Sequence, residues 1–125
     1  MNKTPNFIEF RLFRKRIGSN FIGITKNGTI SIYSGLYLAN KIKGKLYCLI
    51  LVDKEQNLIG LQFDGLRGKG LYKVKHIKNS CLIFAHNFFK VNNFNILDWY
   101  GKYNFGKIKN ENGDDIFMID LQNKI

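Results

Sequence analysis

Cysteine, histidine and acid are scarce in this chain, and each shortage closes off a chemistry. The two cysteines, Cys48 and Cys81, stand alone, with no CxxC pair and no histidine pair at metal-ligand spacing. They read as reduced, apolar core residues and argue against a zinc site. The two histidines, His76 and His86, neighbour no serine or cysteine in a nucleophile motif, so neither marks acyl-transfer chemistry. Glu111, Asp114, Asp115 and Asp120 lack the spacing of a calcium loop and read as a solvated turn. No apolar run approaches the ~18 residues of a spanning helix, and no charged-then-apolar leader opens the chain. These absences predict a soluble protein of the cytoplasm, in a bacterial or virus-infected cell, that is not secreted and has no membrane partner. They also predict a protein that is not an enzyme and takes no cofactor or metal.

What is present is positive charge, unevenly placed. The chain has 125 residues, 20 Lys+Arg against 9 Asp+Glu, and a formal net charge of +11. Residues 1–10 and 79–125 each sum to zero, so the whole excess lies in 11–78. Such asymmetry points to a polyanionic partner. The candidate nucleic-acid-binding residues are Arg11, Arg14, Lys15, Arg16, Lys26, Lys41, Lys43, Lys45, Arg67, Lys69, Lys73, Lys75 and Lys78. Arginine is the more informative cation because its planar fork matches phosphate, and three of the four arginines fall within 11–16. Aromatic side chains interleave with this charge, and Phe13, Tyr33, Tyr37 and Tyr72 are the candidates for stacking on bases.

The dominant period is two. Ile22 and Ile24, then Ile30 and Ile32, alternate on either side of Lys26-Asn27-Gly28, which predicts a hairpin because Asn-Gly accepts the positive φ of a tight turn. Residues 33–42 suit a short helix or an irregular turn. Residues 45–53 are apolar on both faces, as in a central strand or one buried in a dimer interface, and 58–63 return beside them. Residues 64–70 hold three glycines and read as a basic linker. They resemble a P-loop only superficially, since no Gly-Lys-Ser/Thr opens a helix there. Strands follow at 71–79 and 81–84. Next come one or two short helices within 85–100, anchored by Phe88, Phe89 and Val91, and a closing hairpin turned at Asn112-Gly113.

A shift of 52 residues sets Lys26-Asn27-Gly28 over Lys78-Asn79-Ser80, Ile22 over Val74, Ile30 over Leu82, Ile32 over Phe84, Leu36 over Phe88, Tyr37 over Phe89 and Asn40 over Asn92. A shift of 57 then sets Lys45 over Lys102 and Asp53 over Asn110, and one more residue aligns Leu58 with Ile116 and Phe63 with Leu121. The expectation is a mainly β, α+β fold with one or two short helices. It would hold two pseudo-repeated strand-turn-strand-helix-hairpin units in one compact domain: a basic unit at 1–63, the linker at 64–70 and a second unit at 71–125.

The first unit, with Gly28, Ile30, Ile32, Leu36, Ile42, Asp53 and Ile59 in place, resembles the AbrB/MraZ family of swapped-hairpin DNA-binding domains. The resemblance implies two hairpin units sharing one fold and a DNA partner. Tyr33 stands where that family usually has proline, and Thr29 and Tyr37 stand where it has arginine. The family's own DNA-reading positions are therefore not basic here. Charge and resemblance together predict a non-catalytic nucleic-acid-binding protein, with DNA preferred to RNA and a homodimer as a further candidate state. The competing expectations are a small basic module that binds an acidic protein surface, as virus-encoded inhibitors of nucleic-acid-processing enzymes do, and a structural subunit of an assembly.

Overall fold

The computed structural model describes residues 21–64 and 70–125. Within them the alternating segments form nine strands: β1 (Ile22–Ile24), β2 (Thr29–Ile32), β3 (Tyr47–Asp53), β4 (Leu58–Asp64), β5 (Leu71–Ile77), β6 (Ser80–Phe84), β7 (Gly101–Tyr103), β8 (Gly106–Lys109) and β9 (Asp115–Asp120). Three short helices accompany them, α1 (Ser34–Ala39), α2 (His86–Val91) and α3 (Ile96–Trp99), in the segments 33–42 and 85–100 where the sequence pattern allows them and one more than the one or two of the expected fold class.

All nine strands join one antiparallel sheet in the order β7-β1-β2-β6-β5-β3-β4-β9-β8. Its two terminal strands, β7 and β8, are separated in the chain only by Asn104 and Phe105. The sheet therefore curls until its ends meet, with residues 101–109 acting as one bent strand that begins beside β1 and ends beside β9. The interior holds a single apolar cluster that includes Ile22, Ile30, Ile32, Ile59, Ile83 and Ile119, all nearly or wholly excluded from solvent. Burying each such side chain is worth about 1.5–3 kcal/mol.

Hairpins from the two halves of the chain alternate around the sheet. β1–β2 is followed by β6–β5, then β3–β4, then β9–β8. Neither half has a sheet of its own, because β2 pairs with β6, β5 with β3, and β4 with β9.

The turns follow their local chemistry. Gly28 sits at φ +83, and a Cβ there would come within 2.8 Å of the His86 backbone, so the first hairpin turn requires glycine twice over. That turn accepts the Ala85 amide on the Gly28 carbonyl at 3.0 Å, fixing the start of α2. At the other end Tyr37 of α1 reaches His76 of β5. The six-residue helices thus close opposite ends of the cylinder. Each ends on an asparagine whose side-chain amide donates to the carbonyl four residues back: Asn40 to Leu36 and Asn92 to Phe88, both at 2.9 Å.

Two expectations require correction. Val91 does not anchor α2: it is 68% exposed, and Phe88 and Phe89 carry the packing. The 52-residue shift also fails in the second strand, where it would set buried Ile30 and Ile32 over outward Leu82 and Phe84. Burial instead matches them with Cys81 and Ile83, a shift of 51. The cause is loop length. The first hairpin turns through Lys26, Asn27 and Gly28, whereas the second pairs Ile77 with Ser80 and turns through Lys78 and Asn79 alone.

β3 is a central strand, flanked by β5 and β4, and its two apolar faces both have partners. Cys48 and Ile50 enter the main core. Leu51 faces outward into a second cluster with Leu58, Ile108, Ile116 and Met118.

Candidate nucleic-acid interface

Directly paired residues of an antiparallel sheet share a face. Following the pairs across five strands gives one outward row: Lys102 (β7), Gly23 (β1), Ser31 (β2), Leu82 (β6) and Lys75 (β5). The row runs perpendicular to the strands for roughly 19 Å, at about 4.8 Å per strand. A lysine stands at each end, with small or apolar residues between. The five strands contain no aspartate or glutamate. β3, β4 and β9, by contrast, hold Asp53, Asp64, Asp115 and Asp120.

Aromatic rings stand on both sides of this row. At the β7 end, Phe21 and Tyr33 meet edge to face with centroids 5.4 Å apart. The Lys102 ammonium lies 5.2 Å from the Phe21 ring and 5.5 Å from that of Tyr33, a cation–π arrangement that holds the charge in place. The tip of Tyr33 lies over Gly23, where a Cβ would approach it to 3.1 Å, so the absent side chain is what lets the ring lie against the sheet. Beside Tyr33 is a hollow of about 310 Å³ floored by Ser31, Ser80 and Leu82. Toward β5, Phe84 is 57% exposed, opposite Thr29 and bordering a second hollow of about 350 Å³ lined by Lys73, Val74 and Lys75.

The fold distributes the sequence-predicted residues among several places. Arg11, Phe13, Arg14, Lys15, Arg16, Arg67 and Lys69 lie outside the described residues. Lys73, Lys75 and Tyr33 reach the outward face just built. Lys26 belongs to the first hairpin turn, 5.1 Å from the Tyr100 ring. Lys41, Lys43 and Lys45 follow α1, and Lys78 lies in the β5–β6 turn at the same end of the cylinder. Tyr37 is 2% exposed and presents no ring face to a base. Tyr72 faces inward, edge-on to Phe88 at 6.4 Å. Two residues of the face went unnoticed in the sequence. Phe84 hides in the apolar run 81–84, where the alternation of Cys81 and Ile83 could have marked it as outward. Lys102 lies in the electrically neutral third of the chain.

Tyr37 has another task. Its Oη lies 2.8 Å from His76 Nδ1, and His76 Nε2 lies 2.7 Å from the Lys45 carbonyl. A carbonyl only accepts, so Nε2 donates to Lys45, and in the neutral tautomer this leaves Nδ1 to accept from the tyrosine hydroxyl. This chain ties α1, β5 and the segment before β3 together. Burial raises the Tyr37 hydroxyl above its ordinary range, with a smaller contribution from Cys81. Burial likewise pushes the Cys81 thiol up to about 12 and raises Cys48 further, so both thiols stay protonated at neutral pH. No known protein family, curated protein or solved structure matches the chain.

Proposed function

We propose that this is a non-catalytic nucleic-acid-binding protein whose interface is the outward face of β7, β1, β2, β6 and β5. The observation that carries the reading is the acid-free row from Lys102 to Lys75, flanked by exposed Phe84 and half-buried Tyr33. Lysines so placed would neutralise phosphates and release their counterions, which supplies most of the affinity in non-specific binding. The test is retention on DNA and RNA as salt rises: affinity that falls steeply supports the reading, and no retention at low salt ends it. Ile77, 43% exposed opposite Ser80 at the β5–β6 turn end of this face, favours an acidic protein surface as the second reading. A pull-down from the native host would then identify that partner.

The same reading includes a duplicated chain with exchanged hairpins, as the AbrB/MraZ resemblance implies. Three observations support it. Hairpins of the two halves alternate in the sheet. α1 and α2 share their length and their asparagine-to-carbonyl ending. Shifting the pair Gly23–Lys102 by 52 and 57 residues gives Lys75 opposite Lys45, which continues the Tyr47–Lys73 register of β3 and β5. A gene expressing residues 21–63 and another expressing 71–125 would test this. Units that fold only when mixed agree with exchange, and units that each fold alone oppose it.

A further inference from the structure

Resting on the nucleic-acid reading above, we infer that the ligand of the five-strand face is a single strand, laid across the β-strands with bases against Phe84 and in the hollow at Tyr33. Three features of the face select a single strand over a duplex. The first is shape. The interior of the curled sheet holds the core, so the lysine row lies on its convex side. A duplex is itself a stiff convex rod with a persistence length of about 50 nm, and two convex bodies meet along a narrow line. A flexible single strand can follow the curvature and reach both Lys102 and Lys75.

The second feature is what the face lacks. Duplex sequence is read by a helix or a ribbon entering a groove, whereas α1 and α2 are six residues long and stand at the ends of the cylinder. The third is what the face offers. Phe84 exposes 57% of its surface at the last position of β6, between β2 and β5, where an isolated ring gains nothing from water. Thr29 on one side and the hollow at Lys73 and Lys75 on the other leave room beside the ring. Unpaired bases present π faces for such a ring, and paired bases do not. The lysines beside both aromatic sites would hold the flanking phosphates, which also makes the face tolerant of sequence.

The experiment measures fluorescence anisotropy of the full chain with labelled oligothymidine, and with the same strand annealed to oligoadenosine. It compares the wild type with Phe84→Ala, Phe84→Leu and a Lys73→Ser/Lys75→Ser/Lys102→Ser variant. The expected result is single-strand binding at least about tenfold tighter than duplex binding. Both Phe84 variants should lose roughly 5- to 150-fold of it, the range of one missing base stack. Phe84→Leu keeps an apolar side chain at an exposed position and guards against a folding artefact. Equal or tighter duplex binding, or Phe84 variants that bind the single strand normally, overturns the inference. If the lysine variant then still weakens both probes, nucleic-acid binding itself stands. Absence of binding to either probe at low salt removes both.

Discussion

The two outward faces of this one sheet differ in nearly every physical respect. The face of β3, β4, β9 and β8 buries Leu58, Ile116 and Met118 with Leu51 and Ile108 against them, and Met118 is wholly excluded from solvent. The face of β7, β1, β2, β6 and β5 exposes Phe84, Lys73, Lys75 and Lys102 and buries little besides Gly23. Both arise from the same period-two alternation, so the difference lies in which residues occupy the outward positions. On the first face they are large aliphatic side chains that serve stability. On the second they are cations, small residues and a bare ring, which contribute little to folding and suit a polyanion. An exposed ring and three lysines in strands without a single acid are poor choices for stability alone.

Substitutions on the two faces should therefore separate folding from binding. The largest effect is expected for Met118→Ala. Emptying that fully buried site should cost about 2–5 kcal/mol in urea unfolding, with single-strand affinity unchanged under folding conditions. A wild-type midpoint would erase the distinction. Gly60→Ala comes next. A Cβ at Gly60 would meet Met118 Sδ at 2.8 Å and Ile116 Cγ2 at 2.9 Å, and such overpacking costs about 1–3 kcal/mol. Thermal melts of the variant would check it.

The smallest effect belongs to Asp115 on β9. Its hydrogen bond from Lys109 Nζ at 2.6 Å, with Lys107 at 3.8 Å, holds the carboxyl below its usual range. A lowered folded-state pKa gives stabilisation that is present above the ordinary aspartate pKa and is lost as pH falls through the lowered value. Asp115→Asn should then cost less than about 1 kcal/mol at neutral pH, because the pair is solvent-screened. The difference from wild type should vanish in acid. A gap that widened in acid would contradict this assignment.

Much of the fold was legible because local chemistry decided it. Alternation marked the strands, and Gly28 and Gly113, both at positive φ, stood at the turns expected of them. The apolar pattern of β3 announced a strand covered on both faces, central or in a dimer interface, and it lies between β5 and β4. What could not be read was set at long range. The order in which hairpins alternate depends on packing between segments dozens of residues apart, and the bend at Asn104-Phe105 that lets β7 and β8 close the sheet has no turn signal. The site suffered most from this. Summed charge placed it in residues 11–78, yet the fold sends Lys26, Lys41, Lys43, Lys45 and Lys78 to the ends of the cylinder and brings Lys102 in from the neutral third. Tyr37 and Tyr72 were indistinguishable from Tyr33 in sequence. Their burial became visible only once the inward side of each element was known.

Whether the lysine row meets phosphate decides the function proposed for this face. The most direct measurement is the dependence of oligothymidine affinity on salt, for the wild type and for the Lys73→Ser/Lys75→Ser/Lys102→Ser variant. Each single-strand phosphate contact contributes about 0.7 to the slope of log K against log salt. A phosphate-binding row gives a steep wild-type slope and a variant slope shallower by about 2, with the urea midpoint unchanged. A variant that keeps the wild-type slope and affinity would contradict it.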